Sequence, residues 1–467
     1  MDASKMVTHI RFDGRPGSCG EELVLGKDFR FDSTRFEAHL MVPMEPLLAD
    51  LMRIAVGVYV ADRKKRRRNR SPWSASMHDM GLRIQVNRLD FWGDDYVQSL
   101  IEDLLRFLSP DLWSLEFERL PFDPIPQQGA LPLVEETPVV CLYSGGLDSA
   151  AGLATWLRDH SQPVLAVTVL HQSHLKRRCG QHVRLLREHY GRNINLVPVR
   201  VHLIDAGRID AQERTQRCRA FLFLAAGVVT AISRGASKVL MFESGVGAVN
   251  APMMAGMATG GRTTRSSHPY LLKRMSELAS LIARRRIDVE LPYWQSTKAE
   301  LVRSLADEAA SGNLEGLARD TVSCVQYPRH TVHRQCGVCP ACIGRRQAML
   351  SAGIDEGPEE YEQDIFAGQG GSPPSSGKLE YLKAMIAQVH DFGAIGDNLE
   401  LPEFLKRWFL GTGITDSEDG ARPWLDALRR YRAERLRLAE IHRDCAVPWP
   451  AWLLPSVHAQ EPYASGF

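Results

Sequence analysis

The chain has 467 residues, 44% of them hydrophobic, and a formal net charge of +1. That is enough for two or three domains with a sizeable core, and the balanced charge supplies no global field for nucleic acid or a membrane surface. The most apolar run, 220–232, is 13 residues long, too short to span a bilayer, and the opening Met-Asp-Ala-Ser-Lys lacks the apolar core of a secretory signal, so the expectation is a cytoplasmic protein without a membrane.

Residues 1–120 form a mixed α+β N-terminal extension and a candidate surface for partner binding. Alternating segments at 80–91 and 112–120 predict strands, and 96–108 predicts a helix. Within it, Arg-Lys-Lys-Arg-Arg-Arg-Asn-Arg at 63–70 is dense enough to hold a phosphate backbone or an acidic partner. A basic run without interleaved aromatics reads first as an exposed loop, and nucleic acid is not the expected partner. Prolines mark 121–138 as a linker.

The block 139–352 alternates. Strands are predicted at 139–143, 164–170, 194–201 and 238–242, with helices at 150–157, 182–190 and 217–232. Such alternation gives a parallel sheet with helices on both faces, whose site lies beyond the carboxyl ends of the strands. Those ends are Ser144, His171, His202 and Glu243. The first strand runs into Ser-Gly-Gly-Leu-Asp-Ser at 144–149. Gly145 and Gly146 permit a tight turn, and backbone N–H groups at the start of the following helix make an anion nest suited to a phosphate chain. Ser144 and Ser149 add hydroxyls, and Asp148 can hold Mg2+ between phosphates. An ordinary strand-to-helix turn with a Ser or Asp cap is the competing reading.

After an extended 289–292, Lys298 opens a helix and can reach phosphates; the alternative is a solvated helix lysine. Cys324, Cys336, Cys339 and Cys342 follow with C-x11-C-x2-C-x2-C spacing, the pattern of a tetrahedral Zn2+ site. A redox Cys-x-x-Cys pair and an iron–sulfur cluster are the competing readings. His330 and His333, between these cysteines, read as loop residues. Cys141 reads as a core residue, and Cys179 and Cys218 as inert helical thiols. Residues 353–377 include Gly-Gln-Gly-Gly-Ser-Pro-Pro-Ser-Ser-Gly and read as a flexible linker. Residues 378–467 form a helical C-terminal extension with a helix at about 424–443.

The turn at 144–149 resembles the PP-loop of ATP pyrophosphatases. With Thr297-Lys298-Ala299-Glu300, Thr321-Val-Ser-Cys324 and Cys336-Gly-Val-Cys339-Pro-Ala-Cys342-Ile-Gly-Arg345, the chain resembles the QueC family of 7-cyano-7-deazaguanine synthases over about 137–352. Weaker echoes are Gln172-Ser-His174 and Arg217-Cys-Arg219. The resemblance implies an adenine nucleotide hydrolase-like α/β fold with ATP, Mg2+ and Zn2+. It assigns ATP binding to Ser144, Gly145, Gly146, Leu147, Asp148, Ser149 and Lys298, with Asp148 and Lys298 catalytic. The implied substrate is 7-carboxy-7-deazaguanine, adenylated on its carboxylate. Candidate substrate contacts are Gln172, His174, Arg219, Glu243 and Asn250, with Arg265 or His268 on the carboxylate. Capping and turn duties are the alternatives for Glu243, Asn250, Arg265 and His268.

The chain also departs from that family. A Tyr-Pro-Asp-Cys stretch expected after the fourth strand is replaced by Glu243-Ser-Gly-Val-Gly-Ala-Val-Asn250, and the extensions add roughly 130 and 110 residues. This layout is more similar to the QatC-type proteins of bacterial anti-phage defence operons, which implies transfer of the acyl group to a protein amine. An acyl adenylate hydrolyses unless water is excluded, and glycine-rich 255–261 beside Met253, Met254 and Met257 is the candidate lid. The alternatives are an ammonia-using nitrile synthase of queuosine-type biosynthesis, a tRNA-thiolating PP-loop enzyme with catalytic cysteines near strand ends, and a non-catalytic ATP-binding subunit. A homo-oligomer is left open.

Overall fold

The computed structural model describes residues 7–15, 21–66, 77–121, 136–170, 173–204, 212–213, 216–250, 265–308, 314–325, 334–363, 376–395 and 418–441. Two compact units divide the chain. One holds Met1–Glu243 and Gly247–Trp294 with Gly411–Gly413, the other Ser244–Val246, Gln295–Leu410 and Ile414–Phe467. Among the described residues, no helix is long and apolar enough to cross a membrane.

The first unit contains two sheets. Strands β1 (Val7–Arg11), β2 (Glu21–Val24), β4 (Asp79–Val86) and β5 (Leu112–Arg119) form an all-parallel sheet in the order β2-β1-β4-β5. Helices α1 (Ser33–Leu40), α2 (Pro46–Lys64), α3 (Leu89–Trp92) and α4 (Asp95–Leu108) accompany them. The segment 80–91, expected as one strand, is a strand only to Val86. The next two amides, of Asn87 and Arg88, donate to the buried Asp50 carboxylate at 2.8 Å each, and Trp92 Nε1 donates to it at 3.2 Å. These bonds replace ladder bonds and turn the chain into α3. Helix α2 was not expected either. It is buried over most of its circumference, so it carries no polar stripe to reveal a helical period; Pro46 in its first turn suits a helix start.

The second sheet has the order β10-β9-β6-β7-β8-β3. Strands β6 (Val139–Leu142), β7 (Val164–Leu170), β8 (Ile194–Leu203), β9 (Lys238–Met241) and β10 (Asp288–Glu290) pair in parallel. The connecting helices are α5 (Leu147–Asp159), α6 (Ser173–Tyr190) and α7 (Arg219–Ser233), with α8 (Gly245–Val249) after β9 and α9 (Pro269–Ala283) before β10. This is the expected parallel sheet flanked by helices. Every residue of β7 is buried, as a central strand covered on both faces requires. Strand β3 (Phe29–Phe31) comes from the N-terminal extension and closes the edge antiparallel to β8, with Phe29 opposite Leu203. From β6 the chain steps to β7 and β8, then crosses back to lay β9 on the other side of β6. The order reverses at β6, so a ligand crevice is expected outside its carboxyl end.

The second unit is helical among its described residues: α10 (Lys298–Glu308), α11 (Leu314–Asp320), α12 (Pro340–Ser351), α13 (Ser376–Asp391) and α14 (Glu418–Ile441). Ile354, Glu356 and Tyr361, inside the stretch expected as a linker, are buried. The candidate lid at 255–261, with Met253, Met254 and Met257, lies outside the described residues, as do His330 and His333.

Candidate nucleotide site and cysteine cluster

The Ser-Gly-Gly-Leu-Asp-Ser turn sits at the carboxyl end of β6, where the sheet order reverses. Gly145 has φ +74°, and a Cβ there would lie 2.9 Å from Cys179 Sγ. Both facts demand glycine. Gly146 is the N-cap of α5, so no side chain caps the helix, and its dipole end is presented to the turn. Ser149 is buried and donates to the Gly146 carbonyl at 2.9 Å, while Ser144 Oγ lies 3.2 Å from Ser149 Oγ and accepts from the Gly146 amide at 3.3 Å. The two serines therefore have different duties. Ser149 shapes the turn from inside, and the exposed Ser144 stands at its mouth with its hydroxyl against Ser149 and the Gly146 amide. Asp148 lies half-buried in the first turn of α5, where its carboxylate suits a hard cation carrying phosphate oxygens.

A buried polar layer supports this turn. Tyr143 Oη lies 2.9 Å from His182 Nδ1, and Thr168 Oγ1 lies 3.8 Å from Cys179 Sγ. Burial pushes the Cys179 thiol up to about 11 and raises Cys141 as well, so neither is a thiolate near neutral pH. Cys218 is also buried. A thiolating enzyme would need the opposite environment.

The other candidate residues fall into two groups. His174, Arg219, Glu243 and Asn250 follow the carboxyl ends of β7, β8 and β9, in or beside the segments that leave them. His174 is in the first turn of α6, Arg219 opens α7, and Asn250 has φ +42° just after α8. Burial lowers the Arg219 pKa. Gln172 lies outside the described residues. Arg265 and His268 instead pack on α4. Arg265 Nη1 donates to the Phe107 carbonyl at 3.1 Å, with its guanidinium 5.2 Å from the Phe107 ring centroid. His268 is buried and caps α9, its Nδ1 accepting from the Tyr270 amide at 3.2 Å. Capping, weighed above for His268, is the duty seen.

The extension also reaches the carboxyl edge of the second sheet, which the sequence did not suggest. Asp62, in the last turn of α2, accepts from the Cys218 amide at 3.1 Å. Arg63 Nη1 donates to the Glu213 carbonyl at 2.7 Å, and the Glu213 amide donates to the Arg63 carbonyl at 2.7 Å. Lys64 Nζ lies 3.4 Å from the Ile204 carbonyl. The basic run thus begins inside a docked helix, where an exposed loop was expected. These bonds join positions about 140 to 156 apart in the chain, and no local pattern encodes them.

In the second unit, Thr297 and Glu300 form a capping box. The Glu300 amide donates to Thr297 Oγ1 at 3.2 Å, and the Thr297 amide donates to Glu300 Oε2 at 2.9 Å. This sets the first turn of α10, where Lys298 stands.

Cys324, Cys336, Cys339 and Cys342 are all buried, with their sulfurs within 4.8 Å of one another. Cys342 Sγ lies 3.5 Å from Cys339 Sγ and 3.8 Å from Cys336 Sγ. Tetrahedral Zn–S bonds of about 2.3 Å place sulfurs about 3.8 Å apart, so the set fits Zn2+. Gly337 turns the Cys-Gly-Val-Cys knuckle at φ +79°, with Gln363 O filling the space of a Cβ. Hydrogen bonding from the three neighbouring thiols holds Cys324 below the ordinary thiol range, while the same crowding raises Cys339 and Cys342. A cation bound among them would be needed to hold all four as thiolates.

Arg345 locks the cluster from behind. It is fully buried and donates from Nε to Glu356 Oε1 at 2.8 Å, from Nη1 to Thr321 Oγ1 at 2.6 Å, and from Nη2 to the Ala318 carbonyl at 2.8 Å. Tyr361 Oη donates to the other Glu356 oxygen at 2.6 Å, and its ring packs on the cysteines. Four buried cysteines in one closed set could bind zinc in the form of a structural site.

Residues 266–353 match the family model for the queuosine biosynthesis protein QueC. The matched segment runs from α9 through the cysteines to the end of α12, and the glycine turn lies upstream of it. Among curated protein sequences, none matches this chain. Over the matched segment the chain is similar to QueC, which supports a PP-loop, ATP-using enzyme of that type.

Proposed function

We propose that this chain is a QueC-type ligase that adenylates the carboxylate of 7-carboxy-7-deazaguanine and passes the acyl group to an amine of a partner protein, in bacterial anti-phage defence. The observation that carries the reading is the glycine turn with its uncapped helix at the reversal point of the sheet. A carboxylate is a poor electrophile because its leaving group would be oxide. Attack of a carboxylate oxygen on the α-phosphorus of ATP forms a mixed anhydride and releases pyrophosphate. Attack of the amine on the acyl carbon then forms the amide, loses a proton and expels AMP.

The protein's part is to stabilise charge where it develops. Amides of the 144–149 turn and the Ser144 hydroxyl would hold phosphate oxygens, and Lys298 would meet the charge of the departing pyrophosphate. Asp148 is the residue to hold Mg2+, whose chemistry is neutralisation of phosphate charge. The cysteine cluster takes no part in the reaction. Arg219, Glu243 and Asn250, which follow strand carboxyl ends, are the proposed contacts to the deazapurine.

A protein acceptor is favoured because the extensions, roughly 130 and 110 residues long, lie outside the 137–352 stretch that resembles QueC. Docking a macromolecule would place its amine by proximity, which free ammonia lacks. The test is intact mass of candidate partner proteins incubated with enzyme, ATP and 7-carboxy-7-deazaguanine. The partner is expected to gain the mass of the acid minus one water, and to do so about 10- to 100-fold more slowly with Lys298→Ala enzyme, which loses charge-assisted contacts of about 1.5–3 kcal/mol. Efficient formation of the free nitrile from ammonia, with no partner gaining mass, would identify a synthase instead.

A further inference from the structure

The C-terminal helix α14 meets both members of the capping box that starts α10. Arg430 Nε donates to Glu300 Oε1 at 2.7 Å, and its Nη2 donates to the Gln295 carbonyl at 2.5 Å. Asp426, one turn earlier on α14, pairs with Nη1 of the same guanidinium. One helical turn further on, Glu434 Oε1 accepts from Thr297 Oγ1 at 2.5 Å, and Glu434 Oε2 lies 3.4 Å from Gln347 Nε2 of α12. Glu300 therefore divides its carboxylate, with Oε2 on the Thr297 amide and Oε1 on Arg430. Thr297 accepts from the Glu300 amide while donating to Glu434.

A capping box already holds a helix start without outside help. Here two further side chains, from a segment beyond the QueC match, clamp it. The box encloses Lys298 and Ala299, of which Lys298 carries a charge. A lysine ammonium stands on a flexible four-carbon stem, so a fixed backbone turn removes part of the freedom it must lose when it meets a charge in a transition state.

We infer that α14 is a positioning element of the ATP-handling machinery, in which Arg430 and Glu434 fix the first turn of α10 and so place the ammonium of Lys298. The inference rests on the reading that Lys298 meets the departing pyrophosphate. It gives the C-terminal extension a duty in adenylation, independent of any partner protein.

A double-mutant cycle separates positioning from support of the fold. The measurement is exchange of labelled pyrophosphate into ATP, with full-length protein and 7-carboxy-7-deazaguanine, for Arg430→Ala and Glu434→Ala in the Lys298 and Lys298→Ala backgrounds. With Lys298 present, Arg430→Ala is expected to lower exchange about tenfold, or about 1.4 kcal/mol. In the Lys298→Ala background the same change is expected to cost less than about twofold, because a residue that acts through Lys298 has nothing left to place. Glu434→Ala should follow the same pattern, and Glu434→Gln, which keeps an acceptor for Thr297, should restore most of the rate. Equal losses in both backgrounds, or no loss with Lys298 present, would overturn the inference while leaving the role of Lys298 intact. Exchange unaffected by Lys298→Ala alone would overturn the reading of Lys298, and the inference with it.

Discussion

The glycine turn at 144–149 and the cysteine set at 324–342 both rely on a glycine in the left-handed region, for opposite ends. At Gly145 the turn brings the backbone onto Cys179 and leaves Ser144 exposed above a helix that no side chain caps. At Gly337 the turn folds a knuckle inward, all four thiols are buried, and Arg345 closes the set from behind. The first is open at the surface, and the second is a closed set of four thiols that could hold a metal. Openness is the ground for proposing reaction chemistry at the turn, and closure the ground for proposing a structural role for the cysteines.

The comparison breaks most readily at the cysteines. Cys339→Ser opens a site whose metal can supply about 10–16 kcal/mol of apparent binding energy, and is expected to give insoluble or protease-sensitive protein. Metal analysis should find one zinc per chain. Iron with visible absorbance, or a well-folded Cys339→Ser protein, would remove the structural-zinc reading.

Next in size is Arg345→Met, which leaves Glu356 buried without its charge partner and should cost about 3–5 kcal/mol in urea unfolding. Turnover per folded molecule should hold, because Arg345 is spent on Glu356, Thr321 and Ala318. A stable but inactive variant would mean that this side of the comparison also carries chemistry.

Gly145→Ala sharpens the other side. A Cβ at φ +74° and 2.9 Å from Cys179 Sγ should cost about 1–3 kcal/mol and abolish ATP turnover in the protein that still folds. Retained turnover would show that the turn need not keep this shape. The smallest expected effect is at His268, which caps α9. His268→Asn keeps a capping acceptor and should change stability by less than about 1 kcal/mol, with pyrophosphate exchange unaltered. A large rise in KM for the acid would return His268 to the substrate site.

How much of this was legible followed from how local each signal is. The alternation of strands and helices in the central block, the turn at 144–149 and the cysteine spacing are carried by residues near one another in sequence, and the parallel sheet flanked by helices is present as expected. The box of Thr297 and Glu300 is equally local: the residues that carry the family resemblance also cap a helix. Helix α2 escaped notice because burial on most sides erases its period. Closure of the second sheet by β3, the bonds of Asp62 and Arg63 behind β8, and the clamp of Arg430 and Glu434 on α10 are long-range pairings. Nothing local distinguishes those residues from solvated charges. Arg345 shows the same limit: its neighbours in sequence mark the family motif, but only the fold shows that its donors are turned inward.

The central claim is that the 144–149 turn directs cleavage between the α- and β-phosphates of ATP. Its most direct test is product analysis of full-length protein with Mg2+, ATP and 7-carboxy-7-deazaguanine, beside Asp148→Ala. The account predicts AMP and pyrophosphate in equal amounts, dependent on the acid and lost in Asp148→Ala. Release of ADP and phosphate, or undiminished AMP formation by Asp148→Ala, would contradict it.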